Sequence, residues 1–102
     1  MKLMTEELQQ TIPLLYATED IPLDKKMVYA KFFTPDANWT WYVTEYDPNE
    51  RLCFGYVIGH ESEWGYFSLD ELESVRGPLG LKIERDLHFE PIVFSELQKE
   101  LL

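Results

Sequence analysis

The stretch Glu84-Arg85-Asp86 followed by His88 holds the residue types closest to a reaction centre in this chain. Two carboxylates and an imidazole are hard and borderline donors that can hold a divalent cation, and an intervening arginine can hold a phosphate. That is the donor set of a metal-dependent enzyme acting on nucleic acid. His60-Glu61 offers a second imidazole beside a carboxylate. Against this, the chain has only two histidines, and no pair stands at the close spacing of a metal-binding motif. Alternating charge along a strand is also the ordinary pattern of a solvated face with cross-strand ion pairs. No Gly-rich phosphate loop, paired-cysteine motif, zinc-protease helix signature or nucleophile elbow is present. No catalytic residue, metal or cofactor is therefore expected, and an enzyme using Glu84, Asp86 and His88 is the alternative reading.

Charge points elsewhere. The formal net charge is −10, from 9 basic and 19 acidic residues. From Glu45 to Glu73 eight acids stand against one base, Arg51, so this segment carries −7 of that total. Binding to nucleic-acid phosphates needs a basic stripe, and none is present. The field repels nucleic acid and anionic membrane and attracts a basic protein surface. The candidate partner-binding residues are Glu61, Glu63, Asp70, Glu71 and Glu73, with Arg76. That arginine opens Arg76-Gly77-Pro78-Leu79-Gly80, a rigid turn that either presents it to an anion or simply stops a helix.

The elements that must position these residues follow from periodicity. Thr5 is placed to cap a short helix over Glu6 to Thr11, which Pro13 ends. Leu14 to Lys26 reads as a loop. Met27 to Phe33 reads as one strand, with Val28, Ala30 and Phe32 on one face. Trp39 to Tyr46 is the second strand, with Trp39, Trp41 and Val43 in the core and Thr40, Tyr42, Thr44 and Tyr46 on a half-wet face. Leu52 to Ile58 and Trp64 to Phe67 are the third and fourth strands. Ser68-Leu69-Asp70-Glu71 is a capping box that opens a helix with Leu69, Leu72 and Val75 on one side, and Gly77 is placed as its C′ residue. Leu81-Lys82-Ile83-Glu84 and Leu87-His88-Phe89 supply a fifth, edge-like strand. Ser95-Glu96-Leu97-Gln98 is a second capping box, opening a terminal helix whose apolar side is Phe94, Leu97 and Leu101. The expected fold is α+β, an antiparallel β-meander of about four to five strands with short flanking helices.

The 102 residues are expected to form a single domain, 1–102, with one modest core. The aromatic face of Trp39, Trp41, Tyr42, Tyr46, Tyr56, Trp64, Tyr66 and Phe67 lacks the lysines and arginines that accompany base-stacking sheets, so core packing is its expected role. The lone Cys53 permits no internal disulfide and reads as a small buried residue. The N-terminal segment lacks the apolar core of a signal peptide, and no run is long enough to span a membrane, so a cytoplasmic location is expected.

Several blocks together carry a resemblance. They are Ala37-Asn38-Trp39-Thr40-Trp41-Tyr42-Val43-Thr44-Glu45, Phe54-Gly55-Tyr56-Val57, Trp64 to Leu72, Ser74 to Leu81, and Ile83-Glu84-Arg85-Asp86. From about Leu14 to about Pro91 the chain resembles domain-of-unknown-function family 2958, small bacterial proteins of plasmids, phages and integrated conjugative elements. The resemblance implies no activity and no site residue. It does imply a mobile-element setting and, with it, interference with or regulation of host defence or DNA transfer. Joined to the charge, this gives the main expectation: a non-enzymatic protein-interaction module that engages a basic or nucleic-acid-binding protein, with mimicry of DNA as its boldest form.

Overall fold

Alternating aromatic and β-branched residues through the middle of the chain build a five-stranded antiparallel sheet, and the short amphipathic segments around it cover both faces. The computed structural model of the chain describes residues 2–102. Met1, the first residue of the N-terminal segment read above for a signal peptide, lies outside the described residues. The order is α1 (Glu6–Thr11), a 3-10 turn (Leu23–Lys25), β1 (Met27–Val28), β2 (Ala30–Phe33), β3 (Thr40–Asp47), β4 (Leu52–Ile58), β5 (Ser62–Ser68), α2 (Leu69–Ser74), β6 (Glu84–Arg85), β7 (Ile92–Val93) and α3 (Phe94–Glu100). Strands β2 to β5 form the meander and β6 returns beside β2, giving the order β5-β4-β3-β2-β6. A separate two-stranded ribbon joins β1 to β7. The architecture is α+β. No helix among the described residues is long and apolar enough to cross a membrane.

Two cores result, one on each face of the sheet. The first gathers Phe32, Trp41, Val43, Tyr46, Cys53 and Phe67 under Leu3, Met4 and Ile12 around α1 and under Leu69 and Leu72 of α2. The second is smaller. It packs Val28, Phe94 and Leu97 of the ribbon and α3 against Tyr42, Tyr56 and Trp64. The ring of Phe94 lies 4.8 Å from that of Tyr56 and 4.7 Å from that of Trp64.

The second core changes three expectations. Met27 to Phe33 is not one strand: it breaks at Tyr29, so that Val28 enters the second core while Ala30 and Phe32 enter the first. The face of β3 expected to be half-wet is buried, because α3 and the ribbon cover Tyr42. The terminal helix begins two residues early. Its Phe94 amide donates to the Lys26 carbonyl (2.8 Å), Val93 occupies the cap position, and Ser95 caps nothing. Burial of the Phe94 ring outweighs the modest gain of a serine cap. Leu101 is exposed rather than part of the apolar side.

A β-bulge reorganises β3. The register against β4 runs regularly to Val43↔Gly55 and then resumes at Glu45↔Phe54, leaving Thr44 unpaired in the ladder. Its hydroxyl instead donates to the Phe54 carbonyl (2.9 Å). The extra residue inverts the alternation beyond it. Tyr46 therefore joins Trp41 and Val43 in the first core, and Glu45 is turned to the opposite face. Gly55 is needed opposite the bulge, since a Cβ there would lie 1.7 Å from the Tyr42 carbonyl oxygen.

Candidate functional site

The six residues expected to meet a partner are all exposed. Ser68 caps α2 through its hydroxyl, which accepts from the Glu71 amide (3.3 Å), and this cap sets the direction in which Asp70, Glu71 and Glu73 project. Arg51 turns back onto that helix from the β3–β4 turn. Its Nε donates to Asp70 Oδ1 (2.7 Å), and its guanidinium also bonds the Glu73 carboxylate. Part of the acidic charge is thus neutralised within the molecule, and Glu71 is left unengaged among those three. Glu61 and Glu63 lie elsewhere. Five residue steps along β5 separate Glu63 from Ser68, about 17 Å at the usual rise. The acids form two patches, one at α2 and one at the β4–β5 turn. Glu45 is in neither: the bulge carries it inside, where it is 3% exposed.

Arg76 is exposed and makes no ion pair among the described residues; its guanidinium donates to the adjacent Val75 carbonyl (3.3 Å). The turn behind it is not a glycine helix cap. Helix α2 ends at Ser74 with Val75 extended and exposed, and Gly77 does not adopt a positive φ. What fixes Gly77 is Asp36, whose Oδ2 accepts from the Leu79 amide (2.8 Å) and at longer range from that of Leu81 (3.5 Å). A Cβ on Gly77 would fall 1.7 Å from Asp36 Oδ1. Gly80, at φ 84, supplies the left-handed corner. The Thr34-Pro35-Asp36 turn therefore clamps the Arg76 turn through one carboxylate.

The residues of the enzyme alternative do come together. Glu84, Asp86 and His88 line one cleft of about 350 Å³ with Lys31 and Phe33. Both Asp86 oxygens already have company there: Oδ1 accepts from the His88 amide (2.9 Å) and Oδ2 lies 3.9 Å from Lys31 Nζ. Among the described residues no three His, Cys, Asp or Glu side chains form a group that could hold a metal ion. His60 sits elsewhere in the chain, its ring perpendicular to that of Trp39 with centroids 5.5 Å apart.

One centre escaped the sequence reading. Beneath the loop 14–25, Lys26 and Glu45 form a buried ion pair with Nζ to Oε2 at 3.4 Å. The same carboxylate accepts from the Tyr16 amide (2.8 Å), the Thr18 amide (3.3 Å) and the Thr18 hydroxyl. Lys26 Nζ also donates to the carbonyl and hydroxyl oxygens of Thr18, both at 2.6 Å. Burial pushes the Glu45 pKa up, but the Thr18 and Tyr16 hydrogen bonds and the Lys26 charge outweigh it and hold the group below its ordinary 4.5. Around this pair opens a groove of about 340 Å³ lined by Tyr16, Glu19, Ile21, Leu23, Phe54 and Tyr66. The signal available in the sequence was a lone glutamate inside an aromatic strand; the bulge that gives it a partner left no such mark.

No curated protein and no solved structure matches the chain. A family model described as "Protein of unknown function (DUF2958)" matches residues 3–96, nearly the whole sequence, and the protein belongs to that family.

Proposed function

We propose that the protein is a non-enzymatic interaction module, carried by mobile genetic elements, that engages a basic surface on a host protein. The observation that supports this best is the net charge of −10 together with the exposure of Glu61, Glu63, Asp70, Glu71 and Glu73. Such a field speeds the approach of a basic partner and repels nucleic acid itself. A host protein that handles DNA carries the matching positive surface, so modulation of defence or DNA transfer is the role such a module would have. Arg76, held outward by a clamped turn, stands ready to meet a carboxylate at the margin of that contact.

The test is a pull-down from bacterial lysate with washes at low and then high salt. Lysines are introduced at Glu61, Glu63 and Glu71, which make no ion pair among the described residues. The wild type should retain a basic, nucleic-acid-binding protein that salt releases, and the triple variant should lose it. An unchanged affinity, or no partner at all, refutes the reading.

A further inference from the structure

The groove beside the Lys26–Glu45 pair has features that the acidic patches do not require. Tyr16 is 57% exposed and Tyr66 is 53% exposed, yet their rings are paired at 6.5 Å across the mouth of the groove. Ile21 and Leu23 are exposed beside them. Tyr16 is held at φ 70, a left-handed conformation that an aromatic residue adopts only under constraint. The constraint is the buried Glu45 carboxylate, which binds the Tyr16 amide. The chain thus fixes an aromatic ring in solvent with a buried ion pair.

Tyr66 also belongs to β5, an edge of the sheet. Among the described residues, 62–68 make no backbone hydrogen bonds outside the sheet ladder, so the outer row of the strand is open. Natural edges are guarded by lysine, proline or a bulge. Here the seven residues Ser62–Ser68 contain none of these, and at their centre a Cβ on Gly65 would meet nothing within 4 Å. The only charge on the strand is Glu63, and Glu19 lines the groove beside Tyr66. Negative charge at the edge, on a chain of −10, opposes pairing with a second copy and favours a basic strand.

We propose that β5 accepts an extended lysine- or arginine-bearing segment of a partner protein as an added strand, with one apolar side chain of that segment seated in the groove beside the Tyr16–Tyr66 ring pair. This rests on the reading of the protein as an interaction module and names the site of contact. Main-chain hydrogen bonds along β5 supply the adhesion, and the groove supplies the selectivity.

The probe is a phage-displayed library of random 12-residue peptides, panned on the purified protein, with the most enriched peptide synthesised and titrated by fluorescence anisotropy. Enriched peptides should carry lysine or arginine beside a leucine or aromatic residue. Tyr16→Ser and Tyr66→Ser should each weaken binding tenfold or more while the far-UV spectrum is kept, and Leu23→Ser provides a third probe of the groove. Of two peptides N-methylated at alternate amides, one should lose binding, because only one row of amides faces β5. No enrichment, enrichment of acidic peptides, or affinity indifferent to all three variants overturns the proposal. In the lysate experiment, capture kept by Tyr16→Ser and Tyr66→Ser but lost by the triple lysine variant overturns the groove alone. Capture unaffected by any variant overturns the interaction module itself.

Discussion

Replacing Glu45 with glutamine isolates what the buried ion pair contributes. The substitution keeps the side-chain shape and one acceptor oxygen for the Tyr16 amide, but it sets an NH2 group against donors from Lys26 and Thr18. Breaking a buried pair from one side costs about 3–5 kcal/mol, because the remaining charge stays desolvated. Lys26 retains two short hydrogen bonds to Thr18, which places the expected loss near the lower end, about 3 kcal/mol. For a domain of this size that lowers Tm by about 12–24 °C. Adding Lys26→Met removes the orphaned charge, so Lys26→Met/Glu45→Gln should be more stable than the two single losses predict, by about 2 kcal/mol of coupling. Urea unfolding of the four proteins measures both quantities. Hydrogen exchange at the Tyr16 and Thr18 amides gives a local readout, and their protection should fall in Glu45→Gln. A loss below about 1 kcal/mol, or additivity in the double variant, would refute the claim that this pair anchors the loop.

Four further outcomes follow from the same geometry. Because the Glu45 carboxyl titrates below its ordinary 4.5 in the folded protein, the stability it contributes is whole above that pH and is lost as pH falls through the lower folded value. Urea midpoints between about pH 3 and about pH 6 should therefore show an acid limb that Glu45→Gln flattens. Gly77→Ala should cost about 2 kcal/mol by driving a methyl into Asp36, and in an Asp36→Ala background the same change should cost almost nothing; calorimetry of the pair decides. Arg51 sits at φ 53, so Arg51→Gly should be more stable than Arg51→Ala by about 1 kcal/mol, read from urea unfolding, although both lose the exposed ion pairs to α2. Burial pushes the Cys53 thiol up to about 12, so a thiol reagent should label it only as fast as the protein unfolds. Rapid labelling in native buffer would contradict its place in the core.

Local chemistry made the flanking elements legible. Thr5 caps α1 and Ser68 caps α2 as their side chains suggest, because each cap is decided within four residues. The meander was legible too, since period-two alternation and turn residues are local signals. What failed depended on distant partners. The buried second face of β3 required knowing that α3 folds back over Tyr42, about fifty residues later. Gly77 looked like a helix cap, and only Asp36, far upstream, shows it to be a point of close approach. Among the candidate residues, exposure was readable from charge, but the capture of Asp70 and Glu73 by Arg51 was not. The loop 14–25 looks like mere connection for the same reason: its anchor is a glutamate 29 residues from Tyr16.

The unpaired Thr44 has a bearing on how the chain finds its fold. A β3–β4 hairpin that formed without the bulge would be continuous and locally plausible, yet it would point Glu45 at Trp41 and Val43 and leave the Tyr46 ring outside. Burying a carboxylate among aromatic rings is so costly that this mispaired hairpin cannot be completed by α1 and α2. The unbulged ladder is thus strongly disfavoured against the bulged one. The acidic side chain within an otherwise apolar strand acts as negative information: it makes the wrong register costly and leaves the bulged one as the ladder the core can accept.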